Sequence, residues 1–250
     1  HCTGTVIAEN ESYLSRTTYD GFGYDVDGDC DNVKVQYNYS HDNEGGFLML
    51  VNHHNYGTVV RYNISRNDKN QSIAVAVPSD NPELLKMTAS IYNNTIYTEL
   101  TGDFMMLHLC SSTEELNIFN NIFYLAEPQD LSGEISNVIV STEGLHLSNN
   151  IYYGNNSTAE LSEYDENAIC QDPLLVNAAS GGIGRDTLSG YKLQSTSPAI
   201  SSKEDVLFSP MLSFSSCAAV ISTMSLRNSL KIPRCFNVFT FNTTAELPSS

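Results

Sequence analysis

Four carboxylates stand at alternate positions near the start of the chain, Asp25, Asp27, Asp29 and Asp31, in the run YDVDGDCDN from Tyr24. Like charges at this spacing raise one another's proton affinity unless a cation or hydrogen-bond donors offset them. An all-oxygen set suits a hard ion, so Ca²⁺ is the metal expected at Asp25, Asp27, Asp29 and Asp31. The run is not an EF-hand, because the twelfth position counted from Asp25 is Gln36 rather than Glu. Paired carboxylates also suit acid–base attack on a glycosidic bond: outward residues about 6–7 Å apart along a strand, on strands about 4.8 Å apart, bracket both hydrolytic geometries.

In that chemistry Asp25 or Asp27 would act as nucleophile or base. Glu44, in His41-Asp42-Asn43-Glu44, would act as the general acid, a role that needs a carboxyl still protonated near neutrality. Substrate contacts are expected from His41, from His53 in Asn52-His53-His54-Asn55-Tyr56, from Tyr24 as a ring for stacking on sugars, and from Arg61. Arg61 is also the basic residue best placed to serve a lyase. Each assignment has a plainer rival: a solvated acidic edge, aspartates bonding turn backbone, a cap at His41 and Asp42, a turn residue at Glu44 and a surface arginine. Adjacent histidines point to opposite sides of a strand, so a metal site using both His53 and His54 is not expected.

These residues need elements to hold them. Alternation in an extended strand places Val26 and Cys30 inward and the four aspartates together on the outer side. Val33, Val35, Tyr37 and Tyr39 continue the pattern, and Glu44-Gly45-Gly46 turns the chain into a second apolar strand, Phe47 to Val51. A recurring asparagine marks each later pass: VQYNYS (Asn38), VRYNIS (Asn63), SIYNNTIY (Asn94), NIFNNIFY (Asn121) and HLSNNIYY (Asn150). A period between about 20 and 50 residues signals a solenoid whose repeats bury their apolar faces against their neighbours. β-Branched and aromatic runs such as SIAVAV, FMMLHL and SNVIV, without helical periodicity, make it a β-solenoid. Asn tolerates left-handed backbone angles, and stacked asparagines would form a hydrogen-bonded ladder. Residues 3–13 read as the end of one repeat, with Asn10 in a polar turn.

The NNxΦY step at Asn93-Asn94, Asn120-Asn121 and Asn149-Asn150 resembles that of right-handed parallel β-helix proteins, the architecture of pectate lyases. So does the closing segment from Asp172-Pro173-Leu174-Leu175 through Gly190-Tyr191-Lys192-Leu193 to Ser197-Pro198-Ala199-Ile200. The resemblance implies an all-β, right-handed parallel β-helix of about five to seven coils over residues 1–200, taken as an N-terminally truncated fragment. It also implies a secreted or cell-surface, carbohydrate-active protein, a polysaccharide lyase or glycoside hydrolase working in a groove, in which Ca²⁺ bridges acidic substrate to carboxylates. The alternative is a non-catalytic, adhesin-type repeat domain that binds glycan or protein and uses calcium structurally. A monomer is expected in either case.

Composition narrows the partners. A net charge of −17 in 250 residues argues against nucleic acid, which requires clustered Lys and Arg. The six cysteines, Cys2, Cys30, Cys110, Cys170, Cys217 and Cys235, contain no CxxC pair, so no zinc ribbon is expected; Cys30 and Cys110 are read as buried thiols on strands. Sequons such as Asn10-Glu-Ser and Asn155-Asn-Ser are discounted, since an Asn-rich bend followed by Ser or Thr generates them unaided. Residues 201–250 break the pattern. Val206 to Met224 is apolar, yet Pro210 and several serines make it a poor membrane span, and the segment is expected to be an atypical, poorly packed tail.

Overall fold

A computed structural model describes residues 1–17, 20–76, 86–99, 104–110, 113–126, 135–154 and 162–200. The expected tail at 201–250, Cys217, Cys235 and the Asn155 sequon lie outside the described residues. The chain winds as a parallel β-solenoid of about four turns, consistent with a right-handed parallel β-helix. Five to seven coils were expected.

Every pairing between the described strands is parallel, as winding in one direction requires, and the one antiparallel bridge described, Leu175 with Leu193, lies in the closing segment. The first face carries nine strands, including Cys2–Thr3, Cys30–Asp31, Asn55–Arg61, Met87–Tyr92 and Glu115–Phe119. The second runs from Glu11–Tyr13 through Tyr39–His41, Ile64–Arg66, Thr95–Thr98 and Ile122–Leu125 to Ile151–Gly154. The third holds Phe22–Val26, Gly46–Val51, Asn70–Ala76, Phe104–Leu109 and Ile135–Ile139. Inward rows stack in register from coil to coil. Tyr24, Leu48, Ile73 and Leu107 form one row, and Val26, Leu50, Val75 and Leu109 the next. Burial of these rows along the axis supplies the apolar stabilisation that no single short strand could provide.

The asparagine ladder runs the length of the barrel. Asn10, Asn38, Asn63, Asn94, Asn121 and Asn150 each receive the next rung by the same rule, the Oδ1 of one residue accepting both the backbone N–H and the Nδ2–H of its predecessor. Asn10 is thus the first rung rather than an isolated turn residue. The corner satisfies backbone donors that no sheet can reach, and a short amide, with both a donor and an acceptor, serves at every rung that has a neighbour on each side. A second corner repeats the device with Asn43 and Asp68. Asp68 Oδ1 accepts from the Asn43 backbone N–H at 3.1 Å and from Asn43 Nδ2 at 2.8 Å, while Ser65 donates to Oδ2 at 2.8 Å.

Past the last coil, the closing segment folds back along the second face. Leu175, Ala178, Leu188 and Tyr191 pack on Tyr39, Ile64 and Tyr97, and Ala199 seats against Ile122 and Ile151. Gly184 N–H donates to Glu11 Oε1 at 2.7 Å and Arg185 Nη1 to the Glu9 carbonyl at 2.9 Å, fastening the segment to the first coil. Among the described residues the closing segment covers the second face, whereas Asp25 and Asp27, at the corner between the third and first faces, are exposed. Among the described residues no helix is long and apolar enough to cross a membrane.

Candidate functional site

The chain crosses that corner at Asp27-Gly28-Asp29, after the strand Phe22–Val26 ends and before Cys30–Asp31 begins. The four aspartates are therefore not the outer edge of one strand. Asp25 faces out from the third face, Asp27 and Asp29 form the bend, and Asp31 lies on the first face. The cause is local: Asp29 takes φ +56°, a left-handed angle that breaks the alternation on which a single edge depends. Val26 and Cys30 are buried as the alternation predicts. Cys110, expected on a strand, falls just beyond Phe104–Leu109 and is half-buried, its Sγ 3.3 Å from His108 Nε2.

One coil up, His53 and His54 form the matching bend, 25 residues after Gly28 and Asp29. Asp29 N–H donates to the His53 carbonyl at 2.9 Å, stacking one bend on the other. Asn55 braces both: its Oδ1 accepts from Cys30 N–H at 2.8 Å, and its Nδ2 donates to the carbonyls of Val51 at 2.6 Å and Val26 at 3.3 Å. The register expected between Asn52-His53-His54 and the aspartates is thus present. The expectation that neighbouring histidines diverge is not met. His54 takes φ +50°, which turns its ring to the same side as His53, and the two rings stack at 4.8 Å and 24°.

Electrostatics single out Asp25. Loss of hydration, followed by the like charges of Asp27 and Asp20, pushes its carboxyl up to about 7; the residue is exposed, so water screens part of that loss and the two neighbouring carboxylates are the firmer cause. Asp20 was not among the residues picked from the sequence, where it sits before Gly21 in an otherwise uninformative loop. Asp27 Oδ1 accepts from Gly28 N–H at 3.0 Å, so one oxygen shapes the bend while the residue remains exposed. Asp31 Oδ2 lies 3.6 Å from His1 Nε2.

The remaining predicted residues lie elsewhere. Tyr24 is buried, its hydroxyl donating to the carbonyls of Asn10 and Tyr39, and burial raises its phenol; an interior ring cannot stack on a sugar. His41 is 2 % exposed between the rings of Tyr13 and Tyr39, with Nε2 3.0 Å from Glu11 and Nδ1 2.7 Å from Asp42. It braces the covered second face and does not line a groove. Glu44 sits at the far end of the third face, 3.4 Å from Arg16. Gly45 next to it bonds Gly21, four residues before Asp25, which is about 13 Å along the strand. Arg61 closes the strand Asn55–Arg61, about 20 Å from the bend, and is bonded to Gln36 and Tyr92 while lying over the Tyr62 ring. The structure brings Asp20, Asp25 and Asp27 together, and Asp29 with His53 and His54. Glu44, His41, Tyr24 and Arg61 belong to neither group.

An ion held by all four aspartates does not fit this layout, because Asp25 and Asp31 are divided between two faces. Among the described residues, the group whose ligand atoms converge is Asp29, His53 and His54, all within 4.8 Å of one another.

No protein-family model matches the chain, and no solved structure matches it. Over 196 residues, 76% of its length, it is 33% identical to a lacto-N-biosidase of Bifidobacterium longum subsp. longum. The chain spans 11% of the length of that relative.

Proposed function

We propose that this solenoid is the carbohydrate-acting part of an extracellular glycoside hydrolase, with the corner at Asp25 and Asp27 as the catalytic edge. The observation that carries the reading is the placement of two exposed carboxylates, Asp25 and Asp27, at one corner, and the like charges of Asp27 and Asp20 together with lost hydration push the Asp25 carboxyl upward. Environments that push two neighbouring carboxyls apart in proton affinity separate an acid from a base. Asp25 keeps its proton near neutrality and donates it to the departing glycosidic oxygen, while Asp27 serves as base or nucleophile. Glu44, expected as the acid, is too distant for that pairing. A lyase would need a base beside the sugar carboxylate, and Arg61 is about 20 Å from the bend and engaged by Gln36 and Tyr92. Similarity to a lacto-N-biosidase supports hydrolysis of a glycan, and lacto-N-biose glycosides are the first substrates to offer.

The test is a screen of the chain against aryl lacto-N-biosides and against neutral and acidic polysaccharides, reading reducing ends together with absorbance of unsaturated products. Reducing ends without unsaturation are expected. Asp25→Asn and Asp27→Asn should each lower kcat by at least about 100-fold in a chain that stays folded, Asp25→Asn gaining stability near neutrality because the parent carboxyl is raised, and Glu44→Gln should leave turnover near that of the parent. Unsaturated products would make the protein a lyase. Glycan binding without any product, in a folded sample, would favour the adhesin-type repeat domain instead.

A further inference from the structure

We infer that Asp29, His53 and His54 form a binding site for a divalent transition-metal ion, with Zn²⁺ the best match. The site is separate from the carboxyl pair proposed for catalysis, and its existence does not rest on that proposal. Two imidazoles and one carboxylate are a borderline-soft donor set, suited to Zn²⁺ and its neighbours rather than to Ca²⁺.

Five features of the corner converge on the ion. His54 Nδ1 and Asp29 Oδ1 are 3.3 Å apart, long for a charge-assisted hydrogen bond. The separation matches the edge of a tetrahedron with metal–ligand bonds of about 2.0–2.1 Å, which is also about 3.3 Å. The left-handed angles at Asp29 and His54 are what bring the three side chains to one side, since an extended backbone would send His53 and His54 apart. Gly28 makes room beneath them: a Cβ there would stand 2.8 Å from His53 Nδ1. The backbone below is fixed by the Asp29–His53 hydrogen bond and by Asn55, whereas the three side chains keep solvent contact and can close on an ion by small rotations. Asp27 and Asp31 flank the site and add negative potential that favours a cation.

Three protein ligands leave a position for water or for a substrate oxygen. Asp29 comes from one coil and both histidines from the next, so the ion would also clamp two turns of the solenoid together. A ligand bound only by the folded state raises its stability, which gives a readout independent of any catalysis.

Titration calorimetry of the chain with ZnCl₂ after chelator treatment, with accessible thiols alkylated so that exposed Cys170 cannot compete, tests the site. One Zn²⁺ per chain is expected, unaffected by excess Ca²⁺ or Mg²⁺, together with a rise in thermal midpoint. Asp29→Asn, His53→Ala and His54→Ala should each weaken binding by at least about tenfold, and His1→Ala should not. Co²⁺ in place of Zn²⁺ should give visible bands that each histidine variant removes. Three results would overturn the site: no uptake, uptake indifferent to the histidine variants, or displacement by Ca²⁺. Because these side chains are partly exposed, the variants are expected to fold, and circular dichroism of each metal-free variant verifies it.

Discussion

Asn150 donates from Nδ2 to Asp165 Oδ2 across 2.6 Å, so a carboxylate closes a ladder whose other rungs are all asparagines. The same oxygen accepts from the Asn150 backbone N–H at 3.2 Å and from the Tyr152 hydroxyl at 2.8 Å. As the terminal rung, Asp165 needs only to accept. Burial raises its carboxyl, and the donors on Asn150 and Tyr152 act in the opposite direction.

Removing the acceptor should therefore be far worse than neutralising it. Asp165→Asn keeps an oxygen for all three donors and should change stability by less than about 1 kcal/mol. Asp165→Ala strands two buried donors of Asn150 and one of Tyr152, and should cost about 3 kcal/mol. Urea unfolding of both variants measures the difference. Equal losses would mean that the ladder does not end at Asp165.

Asp68 gives the solenoid a pH dependence of defined sign. Burial pushes its carboxyl up to about 6, opposed by hydrogen bonds from Ser40, Ser65 and Asn43. The folded state thus holds the proton more tightly than the unfolded chain, in which an aspartate titrates near 4. The contribution is fully present below about pH 4 and is lost as pH rises through about 6. For a shift of about two units the loss is about 2–3 kcal/mol. Asp68→Asn should remove that part of the pH dependence, so the stability difference between variant and parent should move in the variant's favour between pH 4 and pH 7. A difference independent of pH would show that Asp68 has an ordinary affinity for its proton.

Features that recur at every coil were the ones legible in the sequence. Asparagine at 38, 63, 94, 121 and 150 announces the ladder because only a short amide can serve each rung, and the alternation around Val26 and Val35 announces inward rows. The placement of the candidate site depended instead on single backbone angles. Four alternating aspartates read as one outer edge, yet one left-handed residue, Asp29, turns the chain onto another face. The same effect at His54 brings together two rings that extended geometry would separate. Asp and His are enriched at left-handed angles, as Asp42 also shows, but each adopts them too seldom for the residue type alone to announce the bend. Tyr24 and His41 were misplaced for another reason: the interior of a solenoid accepts a polar tip wherever a corner carbonyl or carboxylate meets it, as Tyr39 and Asn10 meet Tyr24, and as Glu11 and Asp42 meet His41.

Two glycines with positive φ separate conformational strain from collision between coils. Gly4 has φ +69°, and a Cβ built on it meets nothing within 4 Å. Gly46 has φ +147° and lies between Phe22 and Gln71 on the third face, where a Cβ would be 2.0 Å from the Gln71 carbonyl oxygen and 2.7 Å from the Phe22 ring. Gly4→Ala should cost only the left-handed penalty, about 1–2 kcal/mol. Gly46→Ala adds a collision with backbone that cannot rotate away, and the strands it would displace carry the inward rows of Leu48 and Ile73. Its loss should exceed that of Gly4→Ala by at least about 2 kcal/mol, read as a lower urea midpoint or as failure to accumulate as soluble protein. Equal effects at the two positions would mean that neighbouring coils yield easily at this end of the third face.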